Sequence, residues 1–209
     1  MKNKFLKTTI AGIVLSASCL FNVANAGVVE LNSGNFCCSI SGGSAGDGRG
    51  ISFLANEDFS VDSIGFQAEV LDSLFEVVIW GSIDGHQVTN VLASATKNFG
   101  NSSLGWNDMD LDFDFMESTY YAIGFRMADL SHLSNGIASL PYYQDNGLPL
   151  AINQPSITLI DGFEGFAASS FSNSLHPNMR MNVAVPEPST LAIFALSLMG
   201  LATRRFKKS

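Results

Sequence analysis

Several residues in this 209-residue chain could do chemistry, and their types point to different ligands. Asp108, Asp110 and Asp112 alternate with Met109, Leu111 and Phe113. Carboxylates in such number suit a calcium ion, which takes oxygen ligands. Side chains two apart on a strand stand ~6.6 Å apart along it, so a loop carboxylate such as Asp84 or Glu117 would have to complete the shell. The competing reading is a solvated face whose repulsion stops that strand from pairing further. Trp106, Tyr142, Tyr143 and Asp145 suit a sugar instead, because aromatic faces pack on the apolar side of pyranose rings while Asp and Asn bond hydroxyls. Trp106 follows Gly105 in an expected loop, Tyr142 to Asn146 reads as a polar aromatic loop, and Trp80, ending an apolar strand, reads as core.

Two further groups are less committal. Gly42 to Gly46 spells Gly-x-Ser-x-Gly around Ser44, but a nucleophile elbow needs a helix after the serine, and more glycine and a strand follow here. His86, His132 and His176 sit in no recognisable motif, so a flexible loop is expected and no catalytic residue is assigned. Cys37 and Cys38 are adjacent. On a regular strand they point to opposite faces and remain inert thiols, although an oxidising location also allows a strained vicinal disulfide or intermolecular bonding.

The elements that must position these groups are strands. The chain is 46% hydrophobic and 14% charged, with 16 Phe, which excludes a disordered chain. Its net charge of −8 excludes a basic nucleic-acid binder. Between Gly27 and Val185, 4 basic and 18 acidic residues give 4 − 18 = −14. Period-two alternation dominates there, with strands expected over 50–54, 61–70, 74–80, 88–96, 108–115, 119–126, 151–160 and 178–185, and a further one conceivable over 36–40. Turn residues such as Asp84-Gly85 and Asn146-Gly147 separate them. The expected fold is all-β, a β-sandwich or jelly roll.

The two ends read as addresses. Lys2, Lys4 and Lys7, an apolar run from Ile10 to Phe21, and Ala24-Asn25-Ala26 make a secretory signal peptide cut after Ala26. A rival lipoprotein box ending at Cys19 has Ser16 where Leu is usual. At the other end, Pro186-Glu187-Pro188 precedes an apolar stretch, Leu191 to Ala202, and then Arg204, Arg205, Lys207 and Lys208. This reads as a rigid extended segment, a short transmembrane helix and a positive stop at the cytoplasmic face. The 15 residues from Ser189 to Thr203 span about 22 Å as helix. That is short of the ~30 Å hydrocarbon core, so the anchor suits a temporary hold. The expected plan is a signal peptide over 1–26, an ectodomain over 27–184 and a sorting signal over 185–209.

This tail resembles the PEP-CTERM sorting signal of Gram-negative bacteria. The resemblance implies that an exosortase, a membrane-embedded cysteine transpeptidase, recognises Pro186-Glu187-Pro188 and cuts nearby. The protein would be anchored in the inner membrane before processing and then reach the cell surface or the medium. Because such producers commonly make exopolysaccharide or a biofilm matrix, the resemblance also implies a matrix setting. Strings such as Val77 to Trp80, Gly105-Trp106 and Ser118 to Phe125 resemble carbohydrate-binding-like sandwiches. The expected function is a non-catalytic adhesive protein associated with exopolysaccharide. The alternatives are a secreted esterase or glycosidase acting on matrix polymer, and a passive spacer.

Overall fold

A computed structural model describes residues 27–31, 35–41, 47–128, 136–144, 156–165, 168, 170–172 and 176–183. These all lie in one compact unit, Gly27–Ala184. The signal-peptide residues Ala24 and Ala26, Ser44, His132, Asp145 and the sorting residues Pro186, Glu187 and Pro188 lie outside the described residues.

Thirteen strands and no helix occur among the described residues. They are β1 (Val28–Glu30), β2 (Asn35–Ile40), β3 (Arg49–Ala55), β4 (Phe59–Val70), β5 (Ser73–Ser82), β6 (Val88–Phe99) and β7 (Gly105–Phe115). There follow β8 (Tyr120–Met127), β9 (Ile137–Gln144), β10 (Ile157–Glu164), β11 (Ser170–Ser172), β12 (His176–Pro177) and β13 (Met179–Val183). One sheet runs β1-β13-β4-β9-β12, with β2 on β9 and β7 on β4; the other runs β11-β10-β3-β8-β5-β6. Every pairing is antiparallel.

Alternation explains why the sheets meet. Ile64, Phe66, Ala68 and Val70 on β4, Met109 and Phe115 on β7, and Met179 and Met181 on β13 are buried on one side. Phe53, Phe75, Ile79, Ile123 and Phe125 face them from the other sheet and complete one apolar core. Phe66 and Phe125 stack across the gap at 4.0 Å. The fold is thus the expected all-β sandwich of two antiparallel sheets.

The outer side of the six-stranded sheet is also covered. Val78, Trp80, Ala122, Phe163 and Ala168 form a second apolar cluster there. The ring of Phe163 lies where Gly50 and Gly124 carry no side chain; a Cβ on Gly50 would fall 2.3 Å from that ring and 2.1 Å from the Ile123 carbonyl. Trp80 meets Phe163 edge-on at 5.6 Å and is 5% exposed, as its core reading requires.

Candidate functional site

The outer side of the seven-stranded sheet is built differently. Because Phe66 and Ala68 face the core, Gly65, Gln67 and Glu69 of β4 must face outward. Register then fixes their neighbours. Gly65 pairs with Asp108 of β7 on one side and Arg180 of β13 on the other, and Arg180 pairs in turn with Glu30 of β1. With no side chain at Gly65, Arg180 reaches across it: its Nε donates to Asp108 Oδ1 at 2.8 Å, and Nη2 donates to Oδ2. The carboxylate beside it holds the Arg180 guanidinium above its usual pKa. The same guanidinium lies over the Trp106 ring, 4.4 Å from its centroid.

Two residues along the ladder, and so on the same face, Trp106 pairs with Gln67. Gln67 Oε1 accepts from Asn178 Nδ2 at 3.0 Å and from the Tyr143 hydroxyl at 3.3 Å. Phe36 of β2 and His176 of β12 flank Tyr143 on β9. Phe36 is 60% exposed and meets Tyr143 edge-on at 6.3 Å. Asn178 is 4% exposed, and its Oδ1 has no hydrogen-bond partner. Two half-buried rings, Trp106 and Tyr143, therefore flank an amide pair, with Arg180 and Asp108 beside them. That arrangement can stack on the apolar faces of sugar rings while bonding their hydroxyls.

The structure changes three expectations about these residues. Trp106 is on strand β7, not in a loop. Tyr142 is on β9, not in a loop, and faces the core at 6% exposure, so it is no sugar platform. Burial pushes its phenol well above the usual value, against the lowering effect of Arg49. Nor do the three aspartates weighed for calcium converge on one point among the described residues. Asp108 is taken by Arg180, and Asp110 and Asp112 are exposed along an edge strand. Asp84 accepts the backbone N–H groups of His86 and Gln87, at 2.8 and 3.0 Å. Among the described residues, no three His, Cys, Asp or Glu side chains could jointly hold a metal. Asp112 instead lines a depression of about 530 Å³ with Ser60, Val61, Phe113 and Asp114. Among the described residues β7 pairs with β4 alone, so the acidic strand is an edge with Asp110, Asp112 and Asp114 exposed.

Sequence reasoning missed Gln67, Asn178 and Arg180. The signal available for Arg180 was its place between Met179 and Met181, as one of few basic residues in an acidic segment.

It also missed a pair on the opposite sheet. Gly85, at φ 86°, turns the chain between β5 and β6 and delivers His86 to β10. There His86 Nδ1 lies 3.1 Å from Asp161 Oδ2. Asp161 is 1% exposed and its Oδ1 has no partner. Burial raises its pKa, against the lowering effects of the Gly162 N–H and His86. The native state therefore keeps this proton to higher pH than the unfolded chain does. The unfolding free energy falls as pH rises from the ordinary carboxylate range through the native pKa. Asp161→Asn should accordingly raise the melting temperature at neutral pH, and the gain should vanish below the ordinary carboxylate range. Thermal melts of both proteins across pH check this, and a variant less stable at neutral pH would refute it.

Comparison with known proteins bears on the C-terminus. Residues 184–207 match the family described as the PEP-CTERM protein-sorting motif. No curated protein matches the chain. Among solved structures, the chain is similar to one titled "Structure of infectious bursal disease virus Gx strain", with 12% identity and a TM-score of 0.28. The similarity covers 79% of this chain and 43% of that one, so the chain spans less than half of its length. The sorting motif makes this an exported protein of the kind an exosortase processes, membrane-anchored and then sorted to the surface.

Proposed function

We propose that the ectodomain is a non-catalytic adhesive module that holds exopolysaccharide on the outer face of its seven-stranded sheet. The observation that carries this reading is the group Trp106, Gln67, Tyr143 and Asn178, which sets two rings and two amides on one sheet face. Trp106 and Tyr143 would stack on sugar rings. Gln67 and Arg180 would donate to hydroxyls or to acidic groups of the polymer, with Asn178 holding Gln67 in place from beneath. Cleavage after Ala26 would free the N-terminus, and residues 189–203 would hold the protein in the inner membrane until exosortase cuts near Pro186-Glu187-Pro188. At the surface, a sandwich with a sugar-binding face serves as matrix glue.

The test is binding of the exported protein to the producer's own extracellular polysaccharide, with calcium or with chelator. Saturable binding is expected, unchanged by chelator, and Trp106→Ala should weaken it about tenfold, equivalent to ~1.4 kcal/mol. No binding by the folded protein sinks the proposal. A hydrolase is the second reading, and the His86–Asp161 pair favours it, since an imidazole oriented by a buried carboxylate can serve as a general base. Polymer cleavage or ester hydrolysis in the same assay, lost in His86→Ala, would replace the adhesive reading with that one.

A further inference from the structure

Cys37 and Cys38 play no part in the sheet-face site. A regular strand would send their sulfurs to opposite faces, but β2 is not regular there. Phe36 pairs with Tyr143 and Cys38 with Tyr142, so Cys37 is an extra residue with no partner of its own on β9. Such a bulge re-aims side chains. Here the Cys37 thiol donates toward Cys38 Sγ at 2.8 Å. That separation is inside non-bonded contact and outside the ~2.05 Å of a formed disulfide. Cys37 is exposed, whereas Cys38 is half-buried against the core.

We propose that Cys37 and Cys38 are a redox-active vicinal pair that closes into an intrachain disulfide after export and reopens to incoming thiols. Export removes the chain from the reducing cytosol, where such a bond would not persist. The oxidant is a protein disulfide of the export compartment. Cys37, the exposed member, loses its proton and attacks one sulfur of that disulfide, forming a mixed disulfide and releasing the oxidant's first thiol. Cys38 then loses its proton and attacks Cys37 Sγ, so that the Cys37–Cys38 bond forms as the mixed bond breaks and the second thiol leaves. The pair gives up two electrons and two protons, and the oxidant becomes a dithiol. The order follows from access: Cys37 is exposed and meets the oxidant first, whereas Cys38 is half-buried against the core and can reach only Cys37. The resulting eight-membered ring contains the peptide bond between the two residues and works against its planarity. Strained, exposed disulfides are the labile ones, so small thiols should reopen this one. The inference depends on export and not on polysaccharide binding.

The full chain, produced with export and purified without reductant, tests it. The protein is denatured, alkylated and read by mass spectrometry, with fragmentation assigning any label to Cys19, Cys37 or Cys38. The expected peptide is unlabelled at Cys37 and Cys38 and two hydrogens lighter than the dithiol form, from a protein without disulfide-linked dimers. A glutathione buffer that leaves the structural disulfides of secreted proteins intact should open it. Cys38→Ser, which strands Cys37 alone at the surface, should instead yield linked dimers or glutathione adducts. Labelling of both thiols in the unreduced wild type would overturn the proposal, as would wild-type dimers that Cys37→Ser abolishes.

Discussion

Phe66→Ala should lower the unfolding free energy by about 3–5 kcal/mol, the cost of deleting a large buried aromatic ring. Phe66 is fully buried, stacks flat on Phe125 of the facing sheet at 4.0 Å, and also meets Phe75 and Phe99 at 5.3 and 5.8 Å. Those partners lie on β8, β5 and β6, so a single ring from β4 touches three strands of the opposite sheet. Removing it opens a void that rigid strands on both sides cannot close. Domains of this size hold about 5–15 kcal/mol in total, so the loss is a large share of the whole. Urea melts should show a lower midpoint with the slope preserved. Phe66→Leu should move the same way by less, and Val91→Ala, at a position 53% exposed, should stay within about 0.5 kcal/mol. A Phe66→Ala midpoint equal to wild type would mean that the two sheets do not meet at this ring.

Pro186→Ala combined with Pro188→Ala should abolish processing. A proline fixes its own φ, removes a backbone donor and disfavours the helical region for the residue before it, so Pro-x-Pro sequences favour extended backbone. An extended segment is what a peptidase site requires, whereas alanine in both places removes the fixed φ and favours helical backbone there. Cell fractionation with an antibody to the ectodomain checks this. The expected result is a full-length band kept in the membrane fraction and a surface pool reduced to background. Normal-sized processed protein at the surface would show that these prolines are not what the exosortase reads.

Strands were the legible part of this chain, because alternation is a local signal. Asp108 to Phe115 shows its two faces in eight letters, and β7 has them, with the aspartates outward and Met109 and Phe115 buried. β3, β4, β5, β6 and β8 fall within three residues of their expected bounds. β9 was not legible: the polar aromatic run from Tyr142 to Asn146 suggested a loop, yet burial of Ile137, Leu140 and Tyr142 holds the segment in the sheet. The site was harder still. Trp106 was singled out by its chemistry, but Gln67, Asn178 and Arg180 come from two other places in the chain and are brought to it only by β4 and β13 register. The cysteine pair depends on one skipped residue in the β2–β9 ladder, and alternation alone gives the opposite answer.

The described fold leaves the sheet through β13, which lies between β1 and β4, with β7 next beyond β4. A cell tethered by this chain to a polymer held at Trp106 would send tension from Val183 through β13 and β4 into β7. Hydrogen bonds in antiparallel ladders run across the strands, so a tug along β13 strains them side by side in shear and not one after another as in unzipping. The Arg180–Asp108 bridge crosses β4 and ties the first strand of that path to the last. Under flow, the domain would then resist drag as a rivet does, letting go only when many bonds fail together.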